Sequence, residues 1–244
     1  MRTMGTQALL DAWEVGHTQA PQRWALTVLA LAEPEQSLDA LAHFSIGQRD
    51  AGLLTWRCAV FGRQLGVIEL CPRCGQQLEV DLDAADLLLP VSARPAAEFD
   101  LQTEACNVRF RLPNSLDLMA VADCPDAARA EALLVDRCVV EARRGADQIA
   151  GSDLPTSVVD ALSERMAELD PQSDLRLSLR CAACRHDWTV VFDILPFLWR
   201  ELNALALRVL HEVHRLASAY GWAEADILSM SAPRRRHYLA MLGA

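Results

Sequence analysis

Apolar residues recur at helical spacing in the first quarter of the chain. The pattern predicts helices over residues 6–13 and 21–32, the second with Trp24, Val28 and Leu31 on one face. A third short helix begins after Ser37, and a fourth opens near residue 46 and ends before Gly62. Residues 1–66 are therefore expected to form an N-terminal helical region.

A second helical block closes the chain. Residues 194–220 carry a wide apolar stripe at helical spacing and predict one long helix, with Gly221 placed as its stop. A short helix over residues 222–228 follows, and Ser231 is positioned to cap a last helix with Pro233 in its first turn. Residues 194–244 are expected to form a C-terminal three-helix unit.

Between these blocks lie two segments in which apolar and polar residues alternate as in β-strands. Each segment surrounds a cysteine pair. The pairs are Cys71-Pro-Arg-Cys74 and Cys181-Ala-Ala-Cys184, flanked by strand-like residues at 67–70 and 78–82 and at 175–179 and 188–192. Two residues between cysteines let a tight turn aim both sulfurs at one ion, and four thiolates complete a tetrahedral site. The sequence predicts one structural Zn²⁺ held by Cys71, Cys74, Cys181 and Cys184.

The two pairs lie far apart in the chain, so the zinc ribbon is expected to be split, with segments 67–83 and 174–193. Closing a loop of about a hundred residues costs roughly 4 to 5 kcal/mol. Zinc binding contributes roughly 10 to 16 kcal/mol in small finger peptides, which exceeds that cost. The fold class expected is α+β and mainly helical.

Residues 84–173 are expected to be a helical insertion between the two halves of the ribbon. The pattern predicts a loop over 89–99, one strand over 108–112, and helices over 114–122 and 126–144. A linker over 145–153 and a helix running from Pro155 to residue 169 complete the insertion.

Some other residues invite chemical interpretation. Gly75 fits a left-handed position after the first knuckle turn, whereas Arg185 stands at the equivalent place in the second. His186 is a possible substitute ligand, although a solvated or outer position suits it better. The cysteines without ligand spacing are expected to be small buried apolar residues, and they are Cys58, Cys106, Cys124 and Cys138.

Catalysis is not expected. His211 and His214 stand three apart, but the H-E-x-x-H spacing of a metalloprotease is absent. Nucleophile-elbow, Walker and dinucleotide-binding motifs are absent too, and a zinc ion closed by four thiolates has no open position for substrate.

Composition narrows the class of protein further. The chain has 244 residues, 52% hydrophobic content and a net charge of −10, which favours a globular protein and disfavours a general nucleic-acid binder. No stretch predicts a membrane span or a signal peptide, and cysteines spaced as ligands favour a reducing compartment. All 23 basic residues are arginine, which points weakly to a GC-rich bacterial genome. The expected location is the bacterial cytoplasm.

The C-terminal third also resembles a known family. The motifs that carry the resemblance lie in residues 175–242 and are Cys181-Ala-Ala-Cys184-Arg-His-Asp-Trp188, Phe192-Asp193-Ile194, Phe197-Leu198-Trp199-Arg200-Glu201-Leu202, His211-Glu212-Val213-His214, Tyr220-Gly221-Trp222, Asp226-Ile227-Leu228 and Arg236-His237-Tyr238-Leu239. With these motifs the chain resembles the phage T4-type baseplate and tail-assembly proteins, whose zinc-knuckle relatives accompany bacterial contractile injection systems.

The resemblance implies a non-enzymatic component or assembly factor of a contractile tail baseplate, acting through contacts with baseplate or tail proteins. Such a protein could also be incorporated into a phage-tail-like particle. Residues expected to bind the partner are Trp199, Trp222, Arg234, Arg235 and Arg236, because large aromatic and arginine side chains contribute most at interfaces.

Two other interpretations remain open at this point. In one, the last two helices form a helix-turn-helix of a DNA-binding or regulatory zinc-ribbon protein, and Arg234 to Arg236 contact phosphates. The acidic net charge weighs against it. In the other, Cys71 and Cys74 are a redox pair, which requires a lowered thiol pKa and no bound metal.

Overall fold

The computed structural model describes residues 5–89 and 97–243. The fold mixes helices and small antiparallel sheets, with the helices predominating. The helices are α1 (Thr6–Gly16), α2 (Pro21–Ala32), α3 (Leu38–Ala42), α4 (Ile46–Phe61), α5 (Ser115–Val121), α6 (Ala127–Cys138), α7 (Thr156–Leu169), α8 (Ile194–Tyr220), α9 (Glu224–Ser229) and α10 (Ala232–Met241). The strands are β1 (Gln64–Leu70), β2 (Gln77–Asp83), β3 (Phe99–Gln102), β4 (Asn107–Phe110), β5 (Val139–Arg144), β6 (Asp147–Ile149), β7 (Arg176–Arg180) and β8 (Asp187–Val191).

The helix boundaries at both ends of the chain follow local signals. The Ser37 and Ser45 hydroxyls accept hydrogen bonds from backbone N–H groups at the starts of α3 and α4, and Ser45 forms a reciprocal capping box with Gln48. Gly221 ends α8 in the left-handed conformation, with φ of 69°. These helices confirm the mainly helical character predicted for the two ends.

The largest hydrophobic core contains residues from both ends of the chain. Buried residues of α2 and α4 pack in one cluster with the first three turns of α8, including Trp24, Leu29, Leu54, Leu198 and Leu202. A second cluster joins the later turns of α8 to α9 and to Leu10 of α1. The segments 1–66 and 194–244, predicted as two units, therefore share their hydrophobic interior.

Two antiparallel hairpins carry the cysteine pairs. Strand β1 pairs with β2, and β7 pairs with β8, each as a two-stranded sheet. One face of the first hairpin packs against the main core through Leu65 and Val67 of β1. The opposite face, which includes Ile68 and Leu70, is exposed to solvent.

The insertion differs from the prediction. Strands β3, β4, β5 and β6 form a four-stranded antiparallel sheet in that order, so residues 84–173 are not simply helical. The helix predicted over 126–144 ends at Cys138 because the chain continues from Val139 as β5, whose residues Val139, Glu141, Ala142 and Arg143 pair with β4. The predicted linker contains Gly145, with φ of 62°, in the tight turn between β5 and β6. Most of the loop predicted over 89–99 lies outside the described residues, and Phe99 already belongs to β3.

The insertion is anchored to the start of α4. The backbone N–H of Gly47 donates to the buried Asp170 carboxylate over 2.8 Å, so a residue after α7 satisfies a free donor of another helix. A Cβ built on Gly47 would lie 2.0 Å from Asp170 Oδ1, which explains a glycine in the first turn of a helix. Burial raises the pKa of Asp170 above its usual value, and the hydrogen bond from Gly47 offsets only part of this rise.

Within the described residues, no helix combines the length and the apolar character that crossing a bilayer requires.

Candidate metal centre

The first knuckle is a tight turn between β1 and β2. The Cys71 N–H donates to the Gln76 carbonyl over 2.9 Å, and the Gly75 N–H donates back to the Cys71 carbonyl over 2.9 Å. Gly75 has a φ of 71°, in the left-handed region that glycine adopts without steric cost. The turn brings Cys71 and Cys74 to one side of the hairpin tip.

The second knuckle repeats this geometry with different residues. The Cys181 N–H donates to the His186 carbonyl and the Arg185 N–H donates to the Cys181 carbonyl, both over 2.9 Å. Arg185 has a φ of 58° and is the one residue other than glycine with positive φ in the described part of the chain. The turn is therefore formed in spite of a backbone cost of about 1 kcal/mol.

The structure brings the two knuckles together. Sγ of Cys71 lies 3.6 Å from Sγ of Cys184, and Sγ of Cys74 lies 3.6 Å from Sγ of Cys181. All four sulfurs lie within 4.8 Å of one another. Cys71 and Cys181 are buried, Cys184 is half-buried and Cys74 is exposed.

This cluster has the composition and the size of a structural zinc site. Tetrahedral Zn²⁺ with Zn–S bonds of about 2.3 Å separates its sulfurs by about 3.8 Å, close to the two 3.6 Å distances. Four sulfur donors also suit a soft or borderline metal better than Mg²⁺ or Ca²⁺. His186 does not belong to the group of close donor atoms, and its ring instead stacks on Trp188 with centroids 6.0 Å apart.

The thiol pKa values show how strongly the four sulfurs affect one another. Backbone N–H groups, first that of Cys184 and then that of Ala183, lower the pKa of Cys181 to about 7 against the opposing effect of burial. The hydrogen bond from the Gln76 backbone lowers the pKa of Cys74, but interactions with the other three sulfurs, first that of Cys184, together with a smaller effect of desolvation, outweigh it and raise that pKa to about 12. The redox interpretation treats Cys71 and Cys74 as a separate pair, but each of their sulfurs lies 3.6 Å from a sulfur of the second hairpin.

A buried arginine fixes the base of the first hairpin. Arg57 Nε donates to Glu201 of α8 over 2.9 Å, and its other nitrogens donate to the carbonyls of Gly62 and Gln64 over 2.7 and 2.6 Å. The guanidinium thus holds the connection between α4 and β1 against α8. Local sequence patterns could not reveal this role, because Glu201 lies 144 residues further along the chain.

The remaining cysteines and histidines are not brought together. In the described residues no other group of three or more cysteine, histidine or acidic side chains has metal-ligand spacing, so His211 and His214 stay outside any cluster. Cys106 and Cys138 are buried, and burial raises the pKa of Cys138 to about 12. Cys58 and Cys124 are half-buried rather than buried as predicted.

The aromatic residues predicted to bind a partner are only partly available. Trp199 is half-buried and meets His17 and Trp24 edge to face, with centroids 5.0 and 5.4 Å away. Trp222 is half-buried between Tyr220 and Tyr238. Both indoles therefore contribute to packing within the chain and expose only part of their surface.

The three consecutive arginines differ in exposure. Arg235 is buried, donating to Glu212 of α8 over 2.9 Å and to the Met230 carbonyl over 2.7 Å, so the prediction that it contacts a partner is wrong. Arg234 and Arg236 are exposed on α10. The sequence alone could not single out Arg235, because its partner Glu212 lies on a different helix.

The comparisons with known proteins point to one family. The family model described as T4 bacteriophage base plate protein matches residues 30–199, which is more than two thirds of the chain. The matched span contains both hairpins and the insertion and ends in the second turn of α8, so it lies further towards the N-terminus than the resemblance over 175–242 suggested. No curated protein and no solved structure matches the chain. The chain belongs to the T4 bacteriophage base plate protein family.

Proposed function

We propose that this protein is a non-enzymatic structural component or assembly factor of a contractile phage tail or injection-system baseplate. In this proposal it acts through contacts with baseplate or tail proteins and holds one structural Zn²⁺. The observation that carries the proposal is the four-sulfur cluster, built from two distant hairpins that both lie within the family match. Segments 67–83 and 174–193 then act as the ribbon, and residues 84–173 as its insertion.

The role proposed for zinc is mechanical. Cys71, Cys74, Cys181 and Cys184 would fill all four positions of the ion, so the metal would supply cross-linking and no chemistry on a substrate. A two-stranded hairpin is marginally stable in isolation. Joining the tips of two hairpins would hold both in one orientation and present their outer faces as a fixed surface for partner proteins.

Protein contacts fit the surface better than DNA does. The net charge is −10, and the central cation of the supposed recognition helix, Arg235, is neutralised inside the molecule by Glu212. Only Arg234 and Arg236 remain exposed there for phosphates. We retain these two side chains, together with the exposed parts of Trp199 and Trp222, as proposed partner contacts.

Metal analysis of cysteine variants tests the zinc site. We expect about one zinc per wild-type chain, and loss of that zinc together with a lower free energy of unfolding in both Cys71→Ser and Cys181→Ser. Cys124→Ser is the matched control, because this half-buried cysteine lies outside the cluster. Retention of full zinc in either ligand variant would contradict a shared site.

Co-expression tests the assembly role. The tagged wild-type chain should recover tail or baseplate proteins encoded in the same gene cluster, and the Cys71→Ser variant should recover less of them. Recovery of nucleic acid alone, with a steep salt dependence, would contradict the proposal and favour the DNA-binding alternative.

A further inference from the structure

One side of α8 is a continuous basic surface. Residues on this side face solvent, and none of them is acidic; they are Arg200, Ala204, Leu207, Arg208, His211, His214, Arg215 and Ser218. Neither Arg208 nor Arg215 takes part in any ion pair among the described residues. Leu207, in the middle of this side, is 54% exposed. We call this surface the basic strip.

The outer face of the first hairpin has the complementary character. The register of β1 and β2 places Ile68 opposite Glu79 and Gly66 opposite Asp81, all on the solvent side. Ile68 and Leu70 are 56% and 62% exposed, more than is usual for large aliphatic side chains. Glu79 accepts a hydrogen bond from the neighbouring Gln77 amide over 3.2 Å, and neither Glu79 nor Asp81 belongs to an ion pair among the described residues. We call this surface the acidic face.

The second hairpin does not share this character. On its outer face Arg180 pairs with Asp187 over 3.7 Å, and Arg176 pairs with Asp174 over 2.8 Å. Its charges are therefore balanced within the chain. The second hairpin also exposes an aliphatic residue, Val191, so the two hairpins differ in the acidic residues without an ion pair, which only the first of the two has on its outer face.

Charge also divides along the chain. Residues 194–244 contain six arginines and four acidic residues, a net charge of +2, whereas residues 1–193 contain 17 arginines and 29 acidic residues, a net charge of −12. The positively charged residues 194–244 of one copy can therefore attract the negatively charged residues 1–193 of a second copy. Electrostatic complementarity of this kind favours encounter and fixes orientation.

The two surfaces match in size and adjoin each other. Seven residues of β1 span about 20 Å, and the 15 steps from Arg200 to Arg215 on α8 span about 22 Å. Arg200 donates to the carbonyl of Gly66 over 3.4 Å, so the basic strip begins where the acidic face lies. A two-fold axis beside this junction can place each strip on the other copy's acidic face, using both surfaces twice.

We propose that a second copy of this chain covers the basic strip, with the acidic face of each copy packed on the strip of the other. Arg208 and Arg215 pair with Glu79 and Asp81 across the two-fold axis, and Leu207 packs against Ile68 and Leu70. Ion pairs between exposed side chains contribute little to stability and are screened by salt. The dimer is therefore weak and sensitive to salt, even with the contact made twice.

Sedimentation velocity of the full chain tests the dimer. At about 0.1 M salt, with a Debye length of about 10 Å, the wild type should approach twice its 26.9 kDa mass as its concentration rises. At about 1 M salt, where the Debye length is about 3 Å, it should return to monomer. A wild type that stays monomeric at low salt overturns the proposal, including the case in which a different protein covers the strip.

Charge reversal identifies the surfaces. Arg208→Glu with Arg215→Glu should be monomeric at low salt, and so should Glu79→Arg with Asp81→Arg. An equal mixture of these two double variants should regain the dimer, because both contacts are then complementary again. Arg23→Glu with Arg129→Glu is the control, since it makes the same charge change at exposed positions outside the strip and should still dimerise.

Dimerisation of either surface variant alone, or failure of the mixture to associate, would overturn the proposed surfaces. All substituted side chains are exposed, and circular dichroism checks that each variant is folded. The outcome is separable from the zinc test, because these variants keep all four cysteines and the cysteine variants keep both charged surfaces.

Discussion

At the scale of single residues, the two knuckles differ at one equivalent position. Gly75 and Arg185 both adopt left-handed backbone conformations, with φ of 71° and 58°, and both donate to the first cysteine of their turn. Glycine adopts this conformation freely, whereas a residue with a Cβ incurs a cost of about 1 kcal/mol. The second knuckle is therefore the more strained half of the centre.

Exchange of these residues should change stability in opposite directions. We expect Arg185→Gly to raise the free energy of unfolding by up to about 1 kcal/mol, because the strain is relieved, and Gly75→Arg to lower it by a similar amount. Urea unfolding of the metal-loaded protein measures both. An equal loss of stability in the two variants would show that the arginine side chain, rather than the backbone, stabilises the second knuckle.

The sequence predicts some of these residues much better than others. Cysteine spacing is a local signal, so Cys71, Cys74, Cys181 and Cys184 could be proposed as ligands before their distances were known. Asp170 left no such signal, because its partner Gly47 lies 123 residues earlier in the chain. Buried polar contacts between remote segments depend on tertiary packing, which short-range patterns do not contain.

At the scale of elements, one buried carboxylate organises the insertion. Asp117, in the first turn of α5, accepts hydrogen bonds from Arg111 over 2.6 Å and from Arg137 of α6 over 2.8 Å, and it also accepts the Asn114 N–H. Burial raises the pKa of Asp117, but these hydrogen bonds and charges outweigh burial and lower it. The carboxylate thereby joins α5, α6 and the end of β4.

Removal of this charge should destabilise the protein in a pH-dependent way. We expect Asp117→Asn to lower the free energy of unfolding by about 3 kcal/mol at neutral pH, since two arginines lose their buried partner. The folded pKa lies below the unfolded value of about 3.9, so the wild-type advantage is complete above that value and is lost as the pH falls through the folded pKa. Urea unfolding of both proteins between about pH 3 and 7 measures the difference. A constant difference across this range would contradict the ionic origin.

Element types were predicted correctly where periodicity and terminal signals agreed, as in α4 and α8. The prediction was wrong for residues 139–144, where apolar spacing continues past Cys138 while the chain changes from helix to strand. Two adjacent β-branched residues, Val139 and Val140, favour the strand, but Phe110 of β4, which pairs with Val139, lies 29 residues earlier in the chain. Pairing between strands, which decides such cases, cannot be read from one segment alone.

At the scale of the whole molecule, the two hairpins have different internal support. The first hairpin packs Leu65 and Val67 into the main core, and Arg57 holds its base. The second contributes Leu177 to the edge of the same cluster. The tips of both extend to the sulfur cluster, so a bound metal would link two segments that each have few buried side chains of their own.

Metal removal should therefore loosen the hairpins selectively. We expect a chelator to accelerate hydrogen exchange at least about tenfold, which is about 1.4 kcal/mol of local stability, in β1, β2, β7 and β8. The amides of α2, α4 and α8 should stay protected because their core does not include the cluster. Unchanged exchange in the hairpins would show that they do not depend on the metal, and the sheet from β3 to β6 serves as an internal reference.

The separation of 107 residues from Cys74 to Cys181 also has a consequence during synthesis. At about 5 to 20 residues per second, a ribosome needs roughly 5 to 20 s to translate them. For that interval the nascent chain presents Cys71 and Cys74 as a dithiol with half a binding site. A four-sulfur site therefore cannot be completed until the second hairpin emerges, late in the synthesis of the chain.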